Sequence, residues 1–355
     1  MGLTQKQADV QVIVPARNEQ DCIGACVESL VRQQGIDFQI TVVDDGSTDQ
    51  TLAIAESFPG VHVIRAFEAV NGATGKCNAL VCGARQANAE WLLFTDADTV
   101  HYPGSLAAAV KEAQERGVDL LSYSPEQEVV SWSEQILMPV VFAELARQYP
   151  PARVNDPADP VAAANGQYIL VRRTTYEELG GHPAVASKVL EDVELARLFK
   201  SVGRNIWFRQ GAGLVKTRMY RTFSSLVEGW TKNLALLFPN PIRLAAIRAV
   251  EFFTIVLTVC GYADLLILPH GQSTEMDVLL ILGTIIYLNF LRRTLVAHFP
   301  WKANALAIFG LPLFSFLLLR SYFHTRVRGT VRWKGRVYTR SETHAGSSSS
   351  IKVRD

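Results

Sequence analysis

Short apolar runs alternate with amphipathic segments over the first part of the chain. Val10 to Pro15 and Phe38 to Val43 read as buried strands, Val61 to Arg65 and Trp91 to Thr95 as a third and a fourth strand. Between them, Asp21 to Gln34 places Ile23, Val27, Leu30 and Val31 on one helical face. Asp49 to Ser57 is a second helix opened by the cap formers Ser47, Thr48 and Asp49, and Gly75 to Asn88 a third. This alternation predicts an α/β fold with a mainly parallel sheet between helices. Ligands of such sheets sit beyond the carboxyl ends of the strands, here Pro15, Asp44 and Asp96. The prolines between Ala146 and Pro160 predict an irregular loop, and α/β signals resume at Gly166 to Arg173 and Val189 to Phe199.

The character changes after Arg248. Ala249 to Leu268, Val278 to Leu291 and Ala303 to Leu319 are apolar and each approaches the ~20 residues that span a bilayer. The alternative is a buried helical bundle in a soluble protein. Glu251 and Asp264 would be costly at mid-bilayer but lie near the ends of their run. His270 to Asp277 carries no Lys or Arg, whereas Arg292, Arg293 and Lys302 mark the next loop as cytosolic. The tail is basic too, with Arg326, Arg328, Arg332, Lys334 and Arg336, so three full spans would place it outside. One run is therefore expected to be re-entrant or interfacial, with the last, interrupted by Pro312, the candidate. Tyr220 to Phe238, with Phe223 and Trp230, suits a membrane interface. The expected organisation is a cytosolic catalytic domain over 1–235, membrane helices over 236–325, and a basic tail over 326–355 that is disordered from Ser341.

Charge and cysteines narrow the class. The net charge of +1, from 35 basic and 34 acidic residues, argues against a nucleic-acid partner. Five scattered cysteines, Cys22, Cys26, Cys77, Cys82 and Cys260, suit reduced thiols in the cytosol, mostly as small core residues. The polar Met1 to Asp9 has no apolar signal-peptide core.

The chemistry-bearing residues cluster at the strand ends. Asp96-Ala97-Asp98 can present carboxylates to Mg²⁺ or Mn²⁺ shared with substrate phosphates, though such a triplet also occurs on solvated turns. Asp44-Asp45-Gly46-Ser47-Thr48-Asp49 suits nucleoside hydroxyls as acceptors, or is simply an Asx turn and helix cap. Arg17, in Pro15-Ala16-Arg17-Asn18-Glu19, could meet a diphosphate, and Lys76 adds a cation to a helix N-terminus, without P-loop spacing. Glu191-Asp192 opens a helical run and offers a general base, or a favourable charge on the helix dipole.

In this order, and with Gly180-Gly181-His182, these motifs resemble family 2 glycosyltransferases of GT-A fold over roughly Val10 to Lys232. The resemblance implies that Pro15, Arg17, Glu19, Asp45, Lys76 and Asp96 hold the nucleotide part of a nucleotide-sugar donor. It implies that Asp98 holds the metal, Mg²⁺ or Mn²⁺, and that Asp192 is the base of an inverting transfer. His182, Glu191 and Trp230 would lie on the acceptor side. The chain is similar to the membrane-bound, lipid-directed branch, such as ceramide glucosyltransferases and hopanoid- or carotenoid-associated bacterial enzymes. That implies a UDP-sugar donor, a lipid acceptor and a multi-pass protein of the cell (inner) membrane with its catalytic domain in the cytoplasm. Gly229 stands before Trp230 where processive relatives carry Arg, which counts against a polysaccharide synthase. A non-catalytic membrane adaptor with a nucleotide-binding domain is the alternative from another class. Trp333-Lys334-Gly335-Arg336 also resembles membrane members.

Overall fold

Strands that read as continuously apolar are covered on both faces. The computed structural model describes residues 8–67, 75–267, 274–333, 336–341 and 350–354 and has this arrangement. The chain forms two units. The first comprises Met1–Glu128, Tyr149–Met219 and Tyr338–Asp355, the second Val129–Gln148 and Tyr220–Val337.

The strands of the first unit, in chain order, are β1 (Val10–Ala16), β2 (Phe38–Asp44), β3 (Val61–Arg65), β4 (Trp91–Phe94), β5 (Thr99–His101), β6 (Leu120–Ser124), β7 (Glu126–Gln127), β8 (Ile169–Arg172), β9 (Ile206–Gln210) and β10 (Val215–Thr217). The main sheet has seven strands in the order β3-β2-β1-β4-β8-β6-β9. Its β3-β2-β1-β4 half is parallel and β8 runs antiparallel between β4 and β6. A small sheet has the order β5-β10-β7.

Alternation along β1 sorts the core. Val10, Val12 and Val14 face Ile23, Val27 and Leu30 of the helix Ile23–Val31, while Ile13 lies on the other face with Ala79, Leu92 and Phe94. The helix Gly75–Arg85 lies so close that a β-carbon on Gly83 would stand 2.5 Å from the Ile13 side chain. The expected α/β fold with a mainly parallel sheet is therefore present.

Two sequence expectations change. Ala146 to Pro160 is not wholly irregular, because the helix Trp132–Gln148 runs into it and Pro151–Val154 forms a helical turn with proline at its first position. Of the tail expected to be disordered, Ser350–Arg354 is a strand, while residues 342–349 lie outside the described residues. So do Lys334 and Gly335, half of the basic Trp-Lys-Gly-Arg element.

The second unit is helical. Three of its helices are long and apolar enough to cross a membrane: Pro241–Ile267, Thr274–Leu295 and the interrupted Trp301–Val327. In the first two only 17% of the most apolar stretch is buried within the protein, against 50% in the third. The third is broken at Ala307–Phe309; Pro312 follows in the first turn of the next helix, where its missing N–H costs nothing. A β-carbon on Gly283 would collide with Thr258, so glycine permits the close approach of the first two helices. Glu251 is buried; it pairs with Arg248 at 2.6 Å and with Arg293, and Arg248 also pairs with Glu144 of the Trp132–Gln148 helix at 3.0 Å. The two arginines offset the two acids, which lowers the cost of burying their charge.

Candidate active site

The ends of β1, β2 and β4 bring their loops together, as parallel topology requires. The loops after β1 and β2 are laced to each other. Thr48 N donates to Asn18 Oδ1 at 2.9 Å, Glu19 N to Thr51 Oγ1 at 2.7 Å and Gln20 N to Asp49 Oδ2 at 3.2 Å. Asn18 takes a left-handed φ of 51° to do so, a conformation asparagine tolerates. Asp44 and Asp49 are consumed by the turn, accepting from Ser47 N and Thr51 N. Arg17 donates to the Asp45 carbonyl at 2.9 Å and lies 3.8 Å from its carboxylate. Pro15 pairs with Val43 inside the sheet, and the Glu19 carboxylate accepts from the Cys22 thiol at 3.2 Å.

A second cluster joins residues more than a hundred positions apart. Lys76 Nζ is 2.7 Å from Asp96 Oδ1 and 3.5 Å from Glu191 Oε1. Asp192 Oδ2 accepts from Gly166 N at 2.9 Å and its Oδ1 from Val193 N at 2.8 Å. Enclosure and the neighbouring Glu191 charge raise the Asp192 carboxyl to about 6, against the opposing pull of Lys76 and its two backbone donors. Enclosure opposes the charge on Lys76, but Asp96 and Glu191 outweigh it and hold the ammonium well above its ordinary range. A β-carbon on Gly166 would lie 3.1 Å from Lys76 Nζ and 3.4 Å from Asp192 Oδ2, so this backbone approaches the cluster as only glycine can without displacing it.

The family model of Glycosyl transferase family 2 matches residues 11–180, which contain both loops, Lys76, Asp96 and Asp98. The chain is a glycosyltransferase whose residues 11–180 match family 2. A 4,4'-diaponeurosporenoate glycosyltransferase of Staphylococcus aureus is 28% identical over 347 residues, covering 93% of this chain and 88% of the relative. Among solved structures, a mannosyltransferase of Pyrobaculum calidifontis in complex with GDP-Man and Mn²⁺ is 17% identical, with 89% and 86% of the two chains covered and a TM-score of 0.49. S. aureus TarS 1-349 with UDP-GlcNAc is 16% identical, with 96% and 99% covered and a TM-score of 0.43.

In this glycosyltransferase no group of three His, Cys, Asp or Glu side chains among the described residues is arranged as a metal cage. Asp96 is paired with Lys76, and Asp98, two residues on, is the second carboxylate of the turn. One carboxylate completed by diphosphate oxygens is a donor set that fits Mg²⁺ or Mn²⁺, ions that arrive with substrate phosphates rather than in all-protein cages.

The residues expected on the acceptor side separate. Glu191 joins the Lys76 cluster and is 7% exposed. His182 is 1% exposed, with Nδ1 2.9 Å from the Tyr176 hydroxyl and its ring edge-on to Phe94; burial lowers it to about 4, so it is a neutral core residue. Trp230 lies in the second unit, on the helix Phe223–Leu237, edge-on to Tyr220 and Phe142. The preceding Gly229 is accounted for by Tyr220, whose ring atoms would stand 2.4 Å from an added β-carbon.

Sequence reasoning passed over Gly166, Gln167, Thr95, Thr99, His101 and Thr217. Antiparallel β8 enters the sheet beside the exit of β4, with Phe94 opposite Ile169, so the loop 165–167 comes back to the acid turn. β10 does the same for Thr217, opposite Thr99. None of the five cysteines forms a disulfide.

Proposed function

We propose that this glycosyltransferase moves a sugar, with inversion and with a divalent metal, from a UDP-sugar to the hydroxyl of a membrane lipid. The observation that carries the reading is the convergence of Lys76, Asp96, Glu191 and Asp192 on one site of a family 2 domain. Arg17, Glu19, Asp45 and Pro15 would receive the nucleoside. Lys76 would hold Asp96 away from the metal and leave that role to Asp98. Mg²⁺ or Mn²⁺, when bound there, supplies Lewis-acid neutralisation of the departing diphosphate.

A carboxyl raised to about 6 is still ionised at pH 7 and more basic than an ordinary aspartate, which suits proton abstraction. Asp192 takes the proton of the acceptor hydroxyl as that oxygen bonds to the anomeric carbon. The bond from that carbon to the diphosphate breaks, and its electron pair leaves with the nucleotide. Attack opposite the leaving group inverts the centre.

The acceptor class rests on two supports. The S. aureus relative is named for 4,4'-diaponeurosporenoate, and the second unit has helices apolar enough for a bilayer. A carotenoid-, hopanoid- or glycolipid-type acceptor follows. The absence of Lys and Arg from 268–277, against Arg292, Arg293 and Lys302 in the next connection, supports a cytoplasmic catalytic domain on the inner membrane.

The test is to offer purified protein in detergent UDP-glucose, UDP-N-acetylglucosamine, UDP-galactose and GDP-mannose, with Mn²⁺ and a membrane lipid extract. The anomeric configuration of the glycolipid is then read by NMR. We expect one UDP-sugar to be used, no transfer in EDTA, and inversion. Retained configuration, or undiminished transfer in EDTA, contradicts the mechanism.

A further inference from the structure

Beneath the acid turn lies a closed polar network. Its hydroxyl protons can be assigned from their partners. Thr99 donates to the Asp96 carbonyl at 2.7 Å and Thr95 to the Gln167 carbonyl at 2.8 Å. The two hydroxyls lie 2.9 Å apart, and His101 Nε2 stands 3.1 Å from Thr95 and 3.2 Å from Thr99, so a proton on Nε2 serves both oxygens. That arrangement suits the Nε2–H tautomer of an imidazole kept neutral by burial. On the other side, Gln167 Nε2 donates to Thr217 Oγ1 at 3.1 Å, and Thr217 donates to the Asp98 carbonyl at 3.1 Å. His101, Thr95, Thr99, Gln167 and Thr217 are each at most 4% exposed.

We propose that Gln167 and Thr217 are positioning residues that hold the main chain of Asp98 and, through the adjoining Gly166, tie it to Asp192. Gly166 N donates to the Asp192 carboxylate, and the next residue, Gln167, supports Asp98 through Thr217. The three-residue loop 165–167 thus grips the metal-side acid and the base-side acid at once. Its own shape is fixed by Asn165, which accepts from Gln167 N at 3.0 Å and donates its N–H to Ser122 at 2.8 Å. A site whose reactive groups must hold a set separation needs such rigid support. The inference rests on the reading of Asp98 as the metal carboxylate.

Binding of Mn²⁺ with UDP, followed by calorimetry on the full chain in detergent, tests it apart from turnover. Thr217→Val keeps the shape and removes the hydroxyl; Thr217→Ser restores it. Thr217→Val should weaken Mn²⁺–UDP binding about tenfold, the order seen when outer support of a metal ligand is lost. Thr217→Ser should bind as the native protein does, and Gln167→Met should reproduce the loss if Thr217→Val does not fold. Native binding by Thr217→Val and Gln167→Met, while Asp98→Asn has lost it, overturns the positioning role alone. Native binding by Asp98→Asn overturns the metal reading and the inference with it.

Discussion

Asp192 is placed among groups that disagree about its charge. Enclosure and Glu191 favour the acid, while Lys76, Gly166 N and Val193 N favour the carboxylate. With Asp192 as the proposed base, activity should fall as pH drops through about 6, and kcat/KM should show an acid limb there. Asp192→Asn should lower kcat by about 10³-fold, the order lost with a general base. A pH-rate profile of the native enzyme with its limb near 4 would contradict the raised value. At this scale the sequence showed which acids could matter but not which were already committed. Asp44 and Asp49 look as available as Asp98 in the chain, yet both are consumed by turn N–H groups. His182, expected on the acceptor side, is buried in the core.

Elements place those residues, and their close approaches depend on small side chains. Gly83 lies against Ile13 in β1, so Gly83→Ala must push the Gly75–Arg85 helix off the sheet. Overpacking of this kind should cost about 2 kcal/mol in chemical denaturation. Because the same helix carries Lys76, binding of donor should weaken as well; an unchanged midpoint would show that the helix yields freely. The parallel strands β1, β2 and β4 were legible from apolar runs because β1 and β4 are buried throughout and β2 from Ile40 on, whereas β3, at the sheet edge, is only partly buried. β8 and β10 were harder to place. Their importance comes from antiparallel register, which brings Gln167 and Thr217 to the acid turn, and no local pattern records register. The helix Trp132–Gln148 was missed because nearly all its sides are covered: Ser133, Glu134 and every residue from Leu137 to Glu144 are buried, leaving no clear amphipathic stripe.

For the molecule as a whole, two ionic networks should set the response to conditions, one in each unit. In the first, Glu112 accepts from Arg209, Arg116, Trp207 and Tyr123. Burial opposes its charge, but the hydrogen bonds from Arg209, Tyr123 and Arg116 win and lower it to about 2. Its stabilisation is therefore complete above the ordinary carboxylate range and is lost as pH falls through about 2. Glu112→Gln should cost about 1–2 kcal/mol at pH 7, after allowance for solvent screening, and little near pH 2. Urea titrations at the two pH values would show it. In the second unit, Arg248→Met leaves Glu144 and Glu251 with less compensation and should cost about 3 kcal/mol in detergent. A thermal midpoint equal to that of the native protein would contradict the structural weight given to that cluster. Composition announced the apolar helices, but of the two arginines that neutralise Glu251 one, Arg293, stands 42 positions on, and the other, Arg248, is shared with Glu144, 104 positions before it.

The most direct test of the account is transfer of radiolabelled sugar from the preferred donor into the lipid phase, with native protein, Asp98→Asn and Asp192→Asn compared at saturating Mn²⁺ and pH 7.5. The account predicts transfer by the native protein and near-complete loss in both variants, each still folded. Transfer at the native rate by either variant would contradict the assignment of Asp98 to the metal or of Asp192 to the base.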